Sequence, residues 1–102
     1  METKKPYYAV IFTSTLTNNV GGYSEMAQRI ADLAKIQPGY IDFESARDEI
    51  GISISYWESL EAIANWKANT EHLLAQEKGI KDFYSYYKVR ICLVEREYEF
   101  KR

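Results

Sequence analysis

The strongest constraint on the fold comes from a run near the start of the chain. From Tyr7 to Thr13 nearly every side chain is apolar or aromatic. Successive side chains of a β-strand point to opposite faces of its sheet, so a strand of this composition is buried on both faces. The run therefore predicts a strand inside a sheet that needs apolar cover on each side.

The next segments alternate between helical and strand patterns. Leu16 to Gly22 reads as a loop, and apolar residues recur at helical spacing from Tyr23 to Ala34. Pro38-Gly39 ends that helix. Two strands follow, over Tyr40 to Arg47 and Ile52 to Trp57, and a hairpin turn joins them.

The second half begins with a helix-capping residue. Ser59 can accept a hydrogen bond from a free N–H, so we expect a helix from Leu60 to about Asn69. Thr70 is interpreted as a second cap. It would open a separate short helix over Glu71 to Lys78, and a further short turn would follow over Ile80 to Tyr84.

The last strand is predicted to be long, from about Tyr86 to Tyr98. The alternation of a strand assigns its side chains to two faces. One face carries Tyr87, Val89, Ile91 and Leu93, and the other carries Arg90, Cys92 and Val94.

The resulting order is strand, helix, strand, strand, helix, strand. With right-handed crossovers this is an α+β fold, the ferredoxin-like βαββαβ topology with an antiparallel sheet. We expect one domain over residues 1–102, with a core of about residues 7–99. Its two helices cover one face of the sheet only, so the apolar second face predicts a homodimer packed sheet to sheet, with the last strand reaching across.

Composition excludes several classes of function. The net charge is −2 with no basic block, which argues against a nucleic-acid partner. One cysteine fits a reducing cytoplasm, the first residues lack an apolar signal core, and the longest apolar run is too short to span a membrane. One histidine and one cysteine cannot build the usual four-ligand zinc site, and no nucleotide-binding glycine motif is present. We therefore expect no metal and no cofactor.

Several short segments, in their order and spacing, resemble the antibiotic biosynthesis monooxygenase family. They are Gln37 to Tyr40, Phe43 to Arg47, Ser55 to Ser59, Asn65-Trp66, Glu71-His72 and the segment Tyr87 through Tyr98. The resemblance implies ferredoxin-like protomers that pair into a dimeric α/β barrel, each with a pocket between sheet and helices. It also implies oxygenation of aromatic polyketides, quinols or haem, in some members without metal or flavin.

The resemblance extends to the haem-degrading branch only in part. That branch is similar at Trp57-Glu58-Ser59 and Asn65-Trp66. Its haem-ligating histidine would fall at Gln76, and the asparagine of its first strand would fall near Phe12. Because both residues differ here, haem degradation is not the expected activity.

Cofactor-independent oxygenation of a small hydroxylated aromatic or quinol requires a base, an anion stabiliser and a dry cavity. His72 is the natural base, because imidazole titrates near neutral pH. Further candidates are residues that can hold an oxyanion or stack on a planar ring. They are Arg90, Trp57, Trp66, Tyr84, Tyr86 and Tyr87.

Each candidate also has a structural interpretation. His72 can be a solvated residue, and the two tryptophans can be core. Arg90 can form an ion pair across the dimer, with Glu44 or Glu95, and Cys92 can be a small buried hydrophobe. Two other functions stay open, a non-catalytic dimeric module that binds a small ligand and a lyase or isomerase built on the same barrel. A closed pocket that holds His72 or Arg90 beside an aromatic wall would favour the enzyme.

Overall fold

The structure is a computed structural model that describes the backbone of residues 5–76 and 83–102, and the side chains of these residues except 71–76. Its elements follow the predicted order. They are β1 (Tyr7–Leu16), α1 (Tyr23–Lys35), β2 (Tyr40–Arg47), β3 (Gly51–Trp57), α2 (Leu60–Gln76) and β4 (Tyr84–Val94).

The strands form one four-stranded sheet in the order β2-β3-β1-β4, and every neighbouring pair is antiparallel. β1 lies inside the sheet, as its doubly apolar sequence predicts. The α+β ferredoxin-like topology is confirmed.

The register divides the side chains between two faces, because residues directly opposite each other on neighbouring strands share a face. Tyr8 lies opposite both Trp57 and Leu93, and this row faces the helices. We call this side the helix-side face. Ile11, opposite Ile54 and Arg90, belongs to the other side, which we call the open face.

The main core lies between the helix-side face and the two helices. Trp57 is fully buried and Trp66 is 8% exposed, and their rings stack with centroids 5.5 Å apart. The Trp57 Nε1–H donates to the Ser55 Oγ at 2.8 Å, which satisfies a buried polar pair. Ala34 of α1 and Ala62 and Ile63 of α2 complete the buried cluster.

α2 passes close to the turn that precedes β2. Gly39 has φ +85°, a backbone conformation that side chains disfavour. A Cβ at Gly39 would lie 2.6 Å from the Cβ of Ala62. The Glu58 N–H donates to the Gly39 carbonyl oxygen at 2.8 Å, so glycine lets the start of α2 lie directly against this turn.

The helix cap at Ser59 is confirmed, because the Ala62 N–H donates to the Ser59 Oγ at 3.0 Å. The predicted break at Thr70 is wrong, since α2 continues without interruption to Gln76. The Thr70 hydroxyl donates to the Lys67 carbonyl oxygen at 2.9 Å, so it bonds within its own helix and caps no new one.

Four boundaries of the strands also differ from the predictions, and one of them is the start of β3, which lies at Gly51 and not at Ile52. β1 continues through the polar pair Ser14-Thr15 to Leu16, and β4 starts at Tyr84, because a bulge between Thr15 and Leu16 sets Leu16 opposite Tyr84. Ile80 to Asp82 of the predicted turn lie outside the described residues.

β4 ends at Val94 and does not continue to Tyr98 as predicted. Val94 lies opposite Tyr7, the first residue of β1. Pro6 comes before Tyr7, and a proline has no N–H with which to continue the ladder. Within residues 5–76 and 83–102, β4 therefore has no paired strand beyond Val94.

Candidate functional site

A cluster of aromatic rings lies on the helix-side face where β1 ends and β4 begins. We call it the tyrosine cluster, and its members are Phe12, Tyr23, Phe83, Tyr84 and Tyr87. Phe12 stacks on Tyr87 with centroids 5.4 Å apart, and Tyr84 meets Phe12 edge-on at 5.4 Å. Tyr23 lies 6.0 Å from Tyr84, so rings from β1, α1 and β4 form one continuous wall.

An apolar strip continues from this cluster along β4. It comprises Tyr87, Val89, Ile91 and Leu93, and we call it the β4 strip. These side chains face the helix side yet are 48–60% exposed. Among the described residues, α1 contacts β2 and α2 contacts β3. The strip is therefore a half-exposed apolar surface with the tyrosine cluster at one end, and we call this surface the groove.

Arg47, at the end of β2, contacts the tyrosine cluster at Tyr23. Its Cζ lies 5.5 Å from the centre of the Tyr23 ring. Its Nη1 donates to the Ser14 carbonyl oxygen at 3.5 Å, and its Nη2 donates to the Ser14 Oγ. Because the Ser14 side chain is fully buried, Arg47 supplies the partner that its hydroxyl requires.

The position of the Arg47 guanidinium depends on Gly51. A Cβ at Gly51 would overlap the guanidinium, which lies over the bare backbone of this glycine. Gly51 is opposite both Ser14 and Arg47 in the register.

Sequence reasoning missed Arg47 as a site residue. The signal that could have indicated it is the alternation of Phe43, Ser45 and Arg47 along β2, which places Arg47 on the helix-side face opposite Gly51.

The electrostatics of the cluster keep Tyr84 protonated. Burial, and then the neighbouring Tyr23 hydroxyl, raise the pKa of Tyr84, while the Arg47 charge partly opposes this rise. The phenol is therefore a hydrogen-bond donor at neutral pH and not a base.

The structure brings together only some of the predicted site residues. Tyr84 and Tyr87 are in contact, with centroids 5.8 Å apart. Trp57 and Trp66 lie in the main core, which is the structural role that the sequence also allowed for them. Tyr86 and Arg90 belong to the open face, away from the β4 strip, and Arg90 is exposed. The roles of these residues toward a ligand stay predictions.

His72 lies on α2, about 1.7 turns beyond Trp66. Its side chain is outside the part of the chain whose side chains the structure describes. Its assignment as a base stays a prediction. Among the described residues, no three histidine, cysteine, aspartate or glutamate side chains are grouped so that they could hold a metal ion.

The open face carries opposite charges along its two margins. A row of cross-strand partners runs straight across it, from Glu44 through Ile54 and Ile11 to Arg90. The row is acidic on β2, apolar in the middle and basic on β4. The Tyr56 hydroxyl donates to Glu44 at 2.6 Å, and this bond raises the pKa of Tyr56 to about 12.

The residues that follow β4 expose further aromatic surface. Tyr98 is 85% exposed and Phe100 is 81% exposed. The segment is joined to the open face by Glu97, which accepts a hydrogen bond from the Tyr7 hydroxyl at 2.8 Å.

Within residues 5–76 and 83–102, neither helix is long and apolar enough to cross a membrane.

Comparison with solved structures defines the class of fold. The cofactor-independent oxygenase SnoaB from Streptomyces nogalater aligns with a TM-score of 0.69 at 13% identity, over 96% of this chain and 100% of that one. A candidate antibiotic biosynthesis monooxygenase from Nitrosomonas europaea aligns with a TM-score of 0.67 at 15% identity, over 90% and 92% of the two chains. The protein thus has the antibiotic biosynthesis monooxygenase-like fold, as the sequence resemblance implied.

Sequence comparison then gives the family. No family model matches the chain. The uncharacterized protein YqjZ of Bacillus subtilis is 48% identical over 94 residues, which are 90% of this chain and 82% of YqjZ. The chain belongs to the same family as YqjZ.

Proposed function

We propose that this protein is a cofactor-independent monooxygenase that acts on a small hydroxylated aromatic or quinol-type substrate. The observation that carries the proposal is the half-exposed β4 strip, which ends at the tyrosine cluster. A planar substrate can lie on this apolar surface with its ring against Tyr87 and Phe12. The fold of SnoaB supports the same kind of chemistry.

The reaction that suits such a site uses the substrate as its own reductant. A base removes a proton from a phenol-activated CH₂ group, and the resulting anion transfers one electron to O₂. The substrate radical and superoxide combine to a peroxide anion at the carbon, which takes back the proton from the base. The resulting hydroperoxide loses water to leave a carbonyl. One oxygen atom enters the product and one leaves as water, so CH₂ and O₂ become C=O and H₂O without an external reductant.

His72 is the proposed base. The choice of His72 rests on chemistry, because an imidazole titrates near neutral pH. Tyr84 is not suited to act as the base, because its raised pKa keeps the phenol protonated. The hydroxyl of Tyr84 is instead suited to donate a hydrogen bond to the substrate oxyanion.

Oxygen uptake tests the activity. Chelated, flavin-free protein is supplied with hydroxylated anthrones, naphthols and quinols in an oxygen electrode. We expect uptake above the autoxidation rate, and a loss of about 100-fold in His72→Ala, because general bases contribute at least that much. Trp66→Phe keeps an aromatic ring in the core and separates loss of packing from loss of the base.

Two further variants test the groove. Tyr87→Ala removes an exposed ring of the β4 strip and should weaken turnover, whereas Ile36→Ala removes an exposed apolar side chain elsewhere and should not. If no compound is consumed and none shifts the melting temperature, the monooxygenase proposal fails. Ligand-induced stabilisation without oxygen uptake would instead favour the non-catalytic binding module.

We also propose that the protein is a homodimer that packs through its open faces. Ile52, on this face, is 43% exposed in the single chain. A two-fold axis along the strands would set β2 of one copy over β4 of the other. Glu44 and Arg90 lie at opposite ends of one cross-strand row. Glu44 of each copy would therefore face Arg90 of the other copy across the interface. An axis across the strands would set acid against acid.

Sedimentation equilibrium tests the dimer and its orientation. At low micromolar concentration the mass should be twice the 11.9 kDa of one chain. Arg90→Glu and Glu44→Arg should each weaken the dimer, and the double variant should restore it. A stable, folded monomer in the wild type would refute the dimer, and a double variant weaker than either single would refute this orientation.

A further inference from the structure

One cation of the helix-side face has polar contacts to neutral groups only. The Arg47 guanidinium bonds to the Ser14 backbone and hydroxyl and lies over the Tyr23 ring. Among the residues that the structure describes, it has no carboxylate partner. A guanidinium carries five N–H donors in a planar fork, so donors remain for an anion.

This cation is connected to the β4 strip through two rings. Tyr23 contacts both Arg47 and Tyr84, and Tyr84 contacts Tyr87 at the end of the β4 strip. The charge of Arg47 is also close enough to lower the pKa of the Tyr84 hydroxyl. Ser14, to which Arg47 donates, also lies opposite Tyr87 in the register, so a ligand ring on Tyr87 would lie near the Arg47 charge.

The guanidinium is held in this place by the local fold. Its two bonds to Ser14 fix the fork, and the missing side chain of Gly51 leaves the space that it fills. An arginine whose only role was to present a charge to solvent at the end of β2 would need neither the bonds to Ser14 nor the space at Gly51.

We propose that Arg47 binds an ionised carboxylate on the ligand, so the preferred ligands are planar hydroxylated aromatic carboxylates. The exposed Arg47 fork takes the carboxylate beside the tyrosine cluster, and Tyr87 and Phe12 take the ring. This inference rests on the ligand groove of the proposed function but not on its oxygen chemistry.

Calorimetric titration with a matched pair of ligands tests the inference. The probes are 1-hydroxy-2-naphthoate and its methyl ester, which share the ring and the hydroxyl but differ in charge. We expect the acid to bind about tenfold more tightly than the ester, since a charge-assisted bond at a partly exposed site has about that effect. The preference should decrease at high salt.

Three variants locate the source of the preference. Arg47→Gln should remove it and leave the affinity for the ester nearly unchanged. Gly51→Ala keeps the charge but displaces the guanidinium, so it should also remove the preference, and it stays informative if Arg47→Gln folds poorly. Lys35→Gln removes one positive charge from the far end of α1 and should change nothing.

The outcomes separate this inference from the proposed activity. Equal binding of acid and ester by the wild type, or a preference that survives both Arg47→Gln and Gly51→Ala, overturns it even if oxygen is consumed. An Arg47-dependent preference without oxygen uptake supports it and counts against the oxygenase. If neither probe binds, the anion site and the groove are both refuted.

Discussion

Replacing Gly39 by alanine tests how closely α2 packs against the turn before β2. The new methyl group would meet the Cβ of Ala62 at 2.6 Å, well inside van der Waals contact, and the residue would keep φ +85°. Both effects destabilise the native state, and they can be separated by experiment.

The magnitude follows from these two terms. An L-residue in the left-handed region costs about 1–2 kcal/mol, partly offset by the lower entropy of the unfolded chain. Overpacking a buried contact costs about 1–3 kcal/mol, because Ala62 lies on a helix that is fixed by the Trp57–Trp66 stack. We therefore expect Gly39→Ala to lower the free energy of unfolding by about 2–4 kcal/mol, a large fraction of the typical 5–15 kcal/mol.

Urea denaturation at one fixed protein concentration measures this loss, with Gly22→Ala as the matched control. Gly22 has φ +87° but nothing within 4 Å of an added Cβ, so it reports the backbone term alone. Ala62→Gly in the Gly39→Ala background removes the clash and should restore part of the stability. Equal losses in the two glycine variants, or no rescue by Ala62→Gly, would refute the close contact.

Three further predictions concern side chains with defined partners. Trp57→Phe should lower the free energy of unfolding by more than about 2 kcal/mol in urea titrations, because it opens a cavity and removes the indole donor of Ser55. Ser59→Ala should cost about 1 kcal/mol, and Ser59→Asp, which keeps a cap, should cost less. The hydrogen bond to Glu44 raises the pKa of Tyr56 to about 12, above its unfolded value of 10.0, so its contribution is complete below pH 10 and is lost as pH rises toward 12. Tyr56→Phe should flatten that decline and remove one high-pH step from the tyrosinate absorbance titration. An unchanged titration would refute the bond.

Periodicity was sufficient to predict the elements because each one has a single dominant pattern. The doubly apolar β1 and the capping hydroxyl of Ser59 are local signals, and the interior position of β1 in the sheet and the cap at Ser59 are confirmed. Thr70 misled the prediction because one hydroxyl can cap a new helix or bond back within an existing one, and only the backbone geometry decides between them.

The candidate site was harder to predict because its parts are distant in sequence. Tyr84 and Tyr87 come together within β4, but Phe12 joins them only through the β1–β4 register. The contact of Arg47 with Ser14 depends on Gly51 between them in the sheet. Composition and spacing carry no information on such a three-strand arrangement.

The strand order also has a consequence for how the chain folds. β1 is made on the ribosome before β2, β3 and β4, yet one of its two neighbours is β4, so Tyr7 can pair with Val94 only after that strand has been made. Pairings between such distant segments form late, since the loop-closure entropy is lost before the contact is gained. Until β4 has emerged, one edge of an apolar strand stays unpaired, and such edges template aggregation. We therefore expect a nascent chain that stalls before Tyr84 to depend on chaperones far more than the complete one.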